Sequence, residues 1–125
     1  MTAIRDLMSR DVVTAAPDCT VADAAAKMVR ASVGSVVVLQ GSFLAGILTE
    51  RDVLRAAASG QDLSVSRISD WMTHDPHATT PDSSAEDAAQ LMFLNGFRHL
   101  PVAQDHQVCG VISLRDLFAA RIRRK

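Results

Sequence analysis

The chain has 125 residues, 48% of them hydrophobic and 22% charged, and a formal net charge of -1. That length supports one compact unit, or two half-domains sharing a core, and the composition excludes disordered and fibrous classes. Near-neutral charge removes the electrostatic case for nucleic acid, and no apolar run approaches the roughly 18 residues that span a bilayer, so neither nucleic acid nor a membrane is an expected partner.

In chain order, Met1-Thr2-Ala3-Ile4-Arg5-Asp6 lacks a basic segment leading into an apolar one, which makes a cytoplasmic location the expectation. Pro17-Asp18 precedes a helix: Thr20 and Asp23 have capping-box spacing, and Val21, Ala24, Ala25, Met28 and Val29 form one apolar stripe. Ser35 to Leu39 and Phe43 to Leu48, joined around Gly41-Ser42, predict a buried hairpin, with a helix from Glu50 to Ala58 after it. The polar stretch from Ser59 to Ser66 reads as a linker.

At Ile68 the chain begins again. A gapless shift of 64 residues lays Ile4-Arg5-Asp6-Leu7-Met8 on Ile68-Ser69-Asp70-Trp71-Met72, Pro17-Asp18 on Pro81-Asp82, Met28 on Met92, Gly46 on Gly110 and Arg51-Asp52 on Arg115-Asp116. Chance does not hold such a register, so the protein is an internal duplication: a first repeat over 1–58, a linker over 59–67 and a second repeat over 68–125. In the second copy Ser84 and Asp87 repeat the cap, and Ala85, Ala88, Ala89, Met92 and Phe93 repeat the stripe. His99 to Ala103 and Val108 to Ile112 form the second hairpin, with Pro101 expected at a strand start or an edge because it has no N–H to donate. A helix from Leu114 to Arg123 ends in the basic run Arg121-Ile122-Arg123-Arg124-Lys125, read as a solvated helix end, with contact to an acidic partner as the other reading. Neither copy has much core of its own, so the two are expected to pack against each other.

Two segments carry candidate chemistry, Gly46-Ile47-Leu48-Thr49-Glu50-Arg51-Asp52 and its twin Gly110-Val111-Ile112-Ser113-Leu114-Arg115-Asp116. Each joins a strand to a helix start, where a hydroxyl, free backbone N–H groups and the positive dipole end suit a phosphate, and where an Asp three residues on suits the diol of a ribose. The same spacing is also that of a capping box, and the residues alone leave both readings open.

The Pro-Asp ahead of an Ala-rich, Met-bearing helix, the run Phe97-Arg98-His99-Leu100-Pro101-Val102 and the doubled Gly-x-x-(Thr/Ser)-x-x-Asp motif together resemble the cystathionine-beta-synthase (CBS) domain, and the pair resembles a Bateman module. The resemblance covers nearly the whole chain. It implies an α+β fold of two β-α-β-β-α repeats related by a pseudo-twofold axis, and two clefts that take AMP, ADP, ATP or S-adenosylmethionine, with no obligatory cofactor. A first cleft would use Ile47, Thr49, Arg51 and Asp52 with Thr80, Ala85, Phe97, Arg98 and His99. A second would use Val111, Ser113, Arg115 and Asp116 with Ala16, Val21, Val33, Gly34 and Ser35. Thr49 or Ser113 would contact phosphate, Asp52 or Asp116 the ribose, and the surroundings of Thr80 and Ala16 the adenine. Arg98 and His99, standing where the second cleft has Gly34 and Ser35, would direct di- or triphosphates to the first; the other reading is a solvated Arg98 and a satisfied, half-buried His99. The sequence departs from the pattern at Ala16, which lacks the hydroxyl of Thr80, and at the turn Gln104-Asp105-His106.

The implied function is that of a stand-alone regulatory module, expected to form a homodimer and to act on an unidentified target, rather than an enzyme. His74, His77, His99 and His106 have no metal-ligand spacing, no nucleophile elbow or P-loop is present, and His74 and His77 read as a surface loop pair. Cys19 and Cys109 read as reduced thiols. The rival is a protein interaction or dimerisation module with vestigial clefts, in which Trp71 and Met72, like Leu7 and Met8, serve either as core or as partner surface.

Overall fold

The computed structural model describes residues 2–123, with the side chains of 121–123 left undescribed, so the charges of the basic tail lie outside the described residues. The elements run β1 (Thr14–Ala15), α1 (Val21–Ala31), β2 (Ser35–Gln40), β3 (Phe43–Thr49), α2 (Glu50–Ala58), β4 (Thr73–His74), α3 (Ala85–Asn95), β5 (His99–Gln104), β6 (Gln107–Ser113) and α4 (Leu114–Arg123). Short 3-10 turns at Ile4–Asp6 and Ile68–Asp70 precede Met8 and Met72. The result is a mixed α+β fold of two like repeats.

The compact units do not coincide with the repeats. One unit is Val13–Pro76; the other joins Met1–Val12 to His77–Lys125. Each copy's leading segment therefore belongs to the unit that holds the other copy's hairpin. In the first unit the sheet order is β1-β2-β3-β4, with β1 parallel to β2 and β4 antiparallel to β3 through Gly46↔His74 and Ile47↔Thr73. In the second, β5 and β6 pair from His99↔Ser113 to Gln104↔Gln107, and the flanking places are held by single bridges, Thr79↔Val102 and Ser9↔Val111.

Pro101 accounts for one of those reductions. Val37 donates its N–H to the Val13 carbonyl at 2.9 Å, whereas Pro101, 64 residues on, has none to give. Of the two places expected for Pro101, the edge is the one found: it is the third residue of β5, a strand of a two-stranded sheet, and it is buried there, with its carbonyl accepting from Thr79 N–H at 3.0 Å.

The linker is not a loose tether. The Ser66 and Leu63 carbonyls accept from Val21 and Ala22 N–H at 2.9 and 3.0 Å, covering first-turn donors of α1; the Thr2 carbonyl does the same for Ala85 and α3 at 2.8 Å. Ile68 and Ile4 close the two cores, fully buried, with Met28, Val36, Val38, Leu48 and Met72 around the first and Met92, Leu100, Val102 and Ile112 around the second. Trp71, Leu7 and Met8 pack partly buried against these clusters, which assigns them to core. Two stripe residues are corrected: Val29 and Phe93 are 81% and 86% exposed, because the buried face of each helix is narrower than the stripe and is centred on Ala24 and Met28, or Ala88 and Met92.

Candidate functional site

Both candidate motifs sit where a buried strand runs into a helix, and the preceding glycine has a packing reason. A Cβ on Gly46 would lie 2.6 Å from the Thr73 carbonyl oxygen and 2.6 Å from Met72 Sδ; on Gly110 it would lie 2.8 Å from the Ser9 carbonyl oxygen and 2.7 Å from Met8 Sδ. These glycines admit the segment that pairs alongside β3 or β6.

The two helix starts are closed by their own acids. Asp52 Oδ2 accepts from Thr49 N–H at 2.9 Å and from the Thr49 hydroxyl at 3.1 Å, while Asp52 N–H reaches Thr49 Oγ1 at 3.4 Å. In the other unit Asp116 Oδ2 accepts from Ser113 N–H at 2.8 Å and Asp116 N–H donates to Ser113 Oγ at 3.1 Å. Thr20 and Ser84 accept from Asp23 and Asp87 N–H, both at 3.1 Å, but the backbone at those caps bridges to Arg67 and Ala3. The chain thus has two kinds of helix start: α1 and α3 are covered by an incoming segment, α2 and α4 by a reciprocal hydroxyl–carboxylate pair.

This geometry corrects one expectation. Glu50 N–H donates to the Gly34 carbonyl at 3.1 Å, so three of the four first-turn donors of α2, those of Thr49, Glu50 and Asp52, already have partners. The free backbone N–H groups foreseen for a phosphate are largely spent, and the Thr49 proton is given to Asp52. A phosphate placed there would have to be met mainly by side chains, and a ligand using Thr49 as a donor would have to displace that bond.

Within the first unit the structure brings Gly34–Ser35 beside Thr49–Asp52, through Ser35↔Thr49 pairing and the Glu50–Gly34 bond. Within the second it brings Arg98–His99 beside Ser113–Asp116, through His99↔Ser113 pairing and Leu114 N–H donating to the Arg98 carbonyl at 2.8 Å. Among the residues named from the sequence, Arg51, Arg98, Arg115, Thr80 and Ala16 are exposed, and Ile47, Ser35 and Asp52 are buried. Val21 has no exposed surface, while Ala85, Phe97, His99, Val33, Gly34, Val111, Ser113, Thr49 and Asp116 are half-buried. The Thr80 hydroxyl lies 2.8 Å from that of Ser83, and the Phe97 ring tilts against His77 at 5.4 Å.

Sequence reasoning missed Arg55. Its guanidinium donates to Asp52 Oδ1 at 3.0 Å and lies 5.6 Å from the Trp71 ring centroid. Trp71 Nε1 is buried with no hydrogen-bond partner among the described residues. The signal was present in the duplication: the positions 64 away hold Ala119 and Leu7, so the second copy cannot build this cluster from its equivalent residues.

With two like strand–helix junctions in place, the comparison with known proteins is direct. The sequence profile of the CBS domain matches residues 4–59 and 67–123. The chain belongs to the CBS domain family. The CBS domain-containing protein YhcV of Bacillus subtilis (strain 168) is 35% identical over 118 residues, covering 94% of this chain and 84% of that protein. The crystal structure of the CBS domain of NE2398 is 30% identical with a TM-score of 0.91, covering 97% and 98% of the two chains. The CBS domain pair of MJ0100, solved in complex with 5′-methylthioadenosine and S-adenosyl-L-methionine, is 21% identical with a TM-score of 0.92 over 100% and 99%, and shares the CBS fold. Among the described residues no helix is long and apolar enough to cross a membrane, and no three His, Cys, Asp or Glu side chains gather as a metal group would require.

Proposed function

We propose that this CBS pair is a cytoplasmic regulatory module, not an enzyme, which binds an adenosyl ligand (AMP, ADP, ATP or S-adenosylmethionine) and passes its occupancy to a target protein. The observation that carries the proposal is the reciprocal hydroxyl–carboxylate pair at both strand–helix junctions, Thr49 with Asp52 and Ser113 with Asp116. Each places a carboxylate at a helix start with a hydroxyl beside it, the donor and acceptor set that a ribose diol and a phosphate require. The CBS pair of MJ0100, which is bound to adenosyl compounds, supports the ligand class.

By resemblance to the family, a first set of ligand residues would be Ile47, Thr49, Arg51, Asp52, Thr80, Ala85, Phe97, Arg98 and His99, and a second Ala16, Val21, Val33, Gly34, Ser35, Val111, Ser113, Arg115 and Asp116. Exposed Arg98 gives the first set a guanidinium where the second has Gly34, which favours di- and triphosphates at the first. Melting curves with AMP, ADP, ATP and S-adenosylmethionine test the reading. A ligand at 100 times its Kd adds about 2.7 kcal/mol, a shift of several degrees. Asp52→Asn, which retains part of the helix cap, should remove most of the shift given by ATP. No shift with any of the four at millimolar concentration contradicts the reading.

A second reading, self-association, is favoured by α3 and α4. A groove of about 440 Å³ is lined by Leu7, Ala85, Ala89, Leu114, Leu117 and Phe118, and Phe93, one turn beyond Ala89, stands 86% exposed. Small residues in the groove and two exposed phenylalanines at 93 and 118 give a surface suited to pairing with its own copy about a twofold axis. Sedimentation should show a homodimer that Phe93→Ser with Phe118→Ser converts to monomer; a monomeric wild type contradicts it.

A further inference from the structure

Given the adenosyl-binding reading above, we infer that Arg55 is the residue that sets ligand charge preference at the first site, by neutralising Asp52 from the side away from Thr49. Asp52 is a buried acid, its side chain 9% exposed. Its two oxygens are held differently: Oδ2 by the Thr49 amide and hydroxyl, Oδ1 by Arg55. An unneutralised carboxylate beside a polyphosphate repels it, and the repulsion is strongest where water is excluded. The Arg55 guanidinium removes that penalty. The Arg55 side chain is 59% exposed, which leaves it accessible to an incoming anion while its guanidinium is bonded to Asp52 and set 5.6 Å from the Trp71 ring.

The helix that follows Ser113 and holds Asp116 has no arginine at the position equivalent to Arg55. Ala119 occupies the position equivalent to Arg55 and Leu7 that equivalent to Trp71, so these two positions supply neither the bridge nor the aromatic surface to Asp116. Ser113 engages Asp116 Oδ2 alone among the hydrogen bonds formed by that carboxylate with described residues. With no guanidinium from that position, Asp116 offers an oxygen for a diol without the neutralisation that Arg55 gives Asp52, and is in this respect the less suited of the two to a triphosphate. The duplication has thus produced two sites that differ in charge through a residue next to the ribose acid, independently of Arg98.

Calorimetric titration of the full chain with ATP and with 5′-methylthioadenosine, for wild type, Arg55→Gln and Arg55→Lys, tests this. Gln keeps the length and a hydrogen bond but not the charge, and a merely structural role would move both ligands together. Arg55→Gln should weaken ATP about tenfold relative to 5′-methylthioadenosine, as expected for one lost charge-assisted contact, and Arg55→Lys should restore most of the preference. An ATP to 5′-methylthioadenosine affinity ratio unchanged in Arg55→Gln overturns the role of Arg55 while leaving adenosyl binding intact. A wild type that binds neither ligand overturns the adenosyl reading itself.

Discussion

Gly46 and Gly110 show how a single position links fold to site. The strand before each helix start must admit a neighbouring backbone, and at Gly46 a carbonyl oxygen stands as near a would-be side chain as Met72 Sδ does, and it cannot swing aside as a methionine end can. Gly46→Ala and Gly110→Ala should each cost about 1–3 kcal/mol, the range for forcing atoms into a packed interior, measured by urea denaturation. A loss below about 0.5 kcal/mol at both would contradict the close approach. The glycine ahead of the motif was visible in the sequence, but its cause was not. Spacing placed it next to a phosphate-binding pattern, whereas the structure gives it to Thr73 and Ser9, residues that only the tertiary fold brings near. Arg55 was hidden for the same reason: its partners Asp52 and Trp71 are 3 and 16 residues away, and only the turn at Ile68–Asp70 brings the ring alongside α2.

At the scale of elements, the helices and hairpins were legible because each carries its own signal. Glu50–Ala58 and Leu114–Arg123 have the bounds that their caps and apolar spacing predict, and the two hairpins fall at Gly41-Ser42 and Asp105-His106. The ends of α1 and α3 offer a paired test. Ser32 closes α1 at φ 56° and Gly96 closes α3 at φ 72°, both left-handed, with open space where a Cβ on Gly96 would stand. Ser32→Gly should stabilise the protein by about 1 kcal/mol and Gly96→Ala should destabilise it by about as much, read from melting midpoints. Equal midpoints for the two variants would contradict left-handed caps. What patterning missed was exposure: Val29 and Phe93 fit the helical stripe, yet period alone does not say how wide a face the neighbouring sheet covers.

At the scale of the molecule, the duplication was legible from the 64-residue register, but the composition of the units was not. Nothing in the local sequence of Ile4 or Ile68 says that each will be buried with the other copy's hairpin; that is decided by which β edge and which helix start lack partners. Ile4, fully buried, packs in the cluster of Met92, Leu100 and Ile112. Ile4→Ala should cost about 2–5 kcal/mol and raise amide exchange in β5 and β6 more than in β2 and β3, while Ile68→Ala should do the reverse. Exchange raised in β2 and β3 by Ile4→Ala would contradict the division. The family and its fold therefore rest on both copies, and the proposed function rests on the two junctions they repeat. Isothermal titration of ATP into the wild-type chain and Asp52→Asn tests that claim most directly. Saturable binding by the wild type is expected, weakened about tenfold or more in Asp52→Asn by loss of a carboxylate oxygen that accepts from the ribose diol. Equal affinities would assign Thr49 and Asp52 to helix capping alone, and heats no larger than dilution for the wild type would contradict ATP binding altogether.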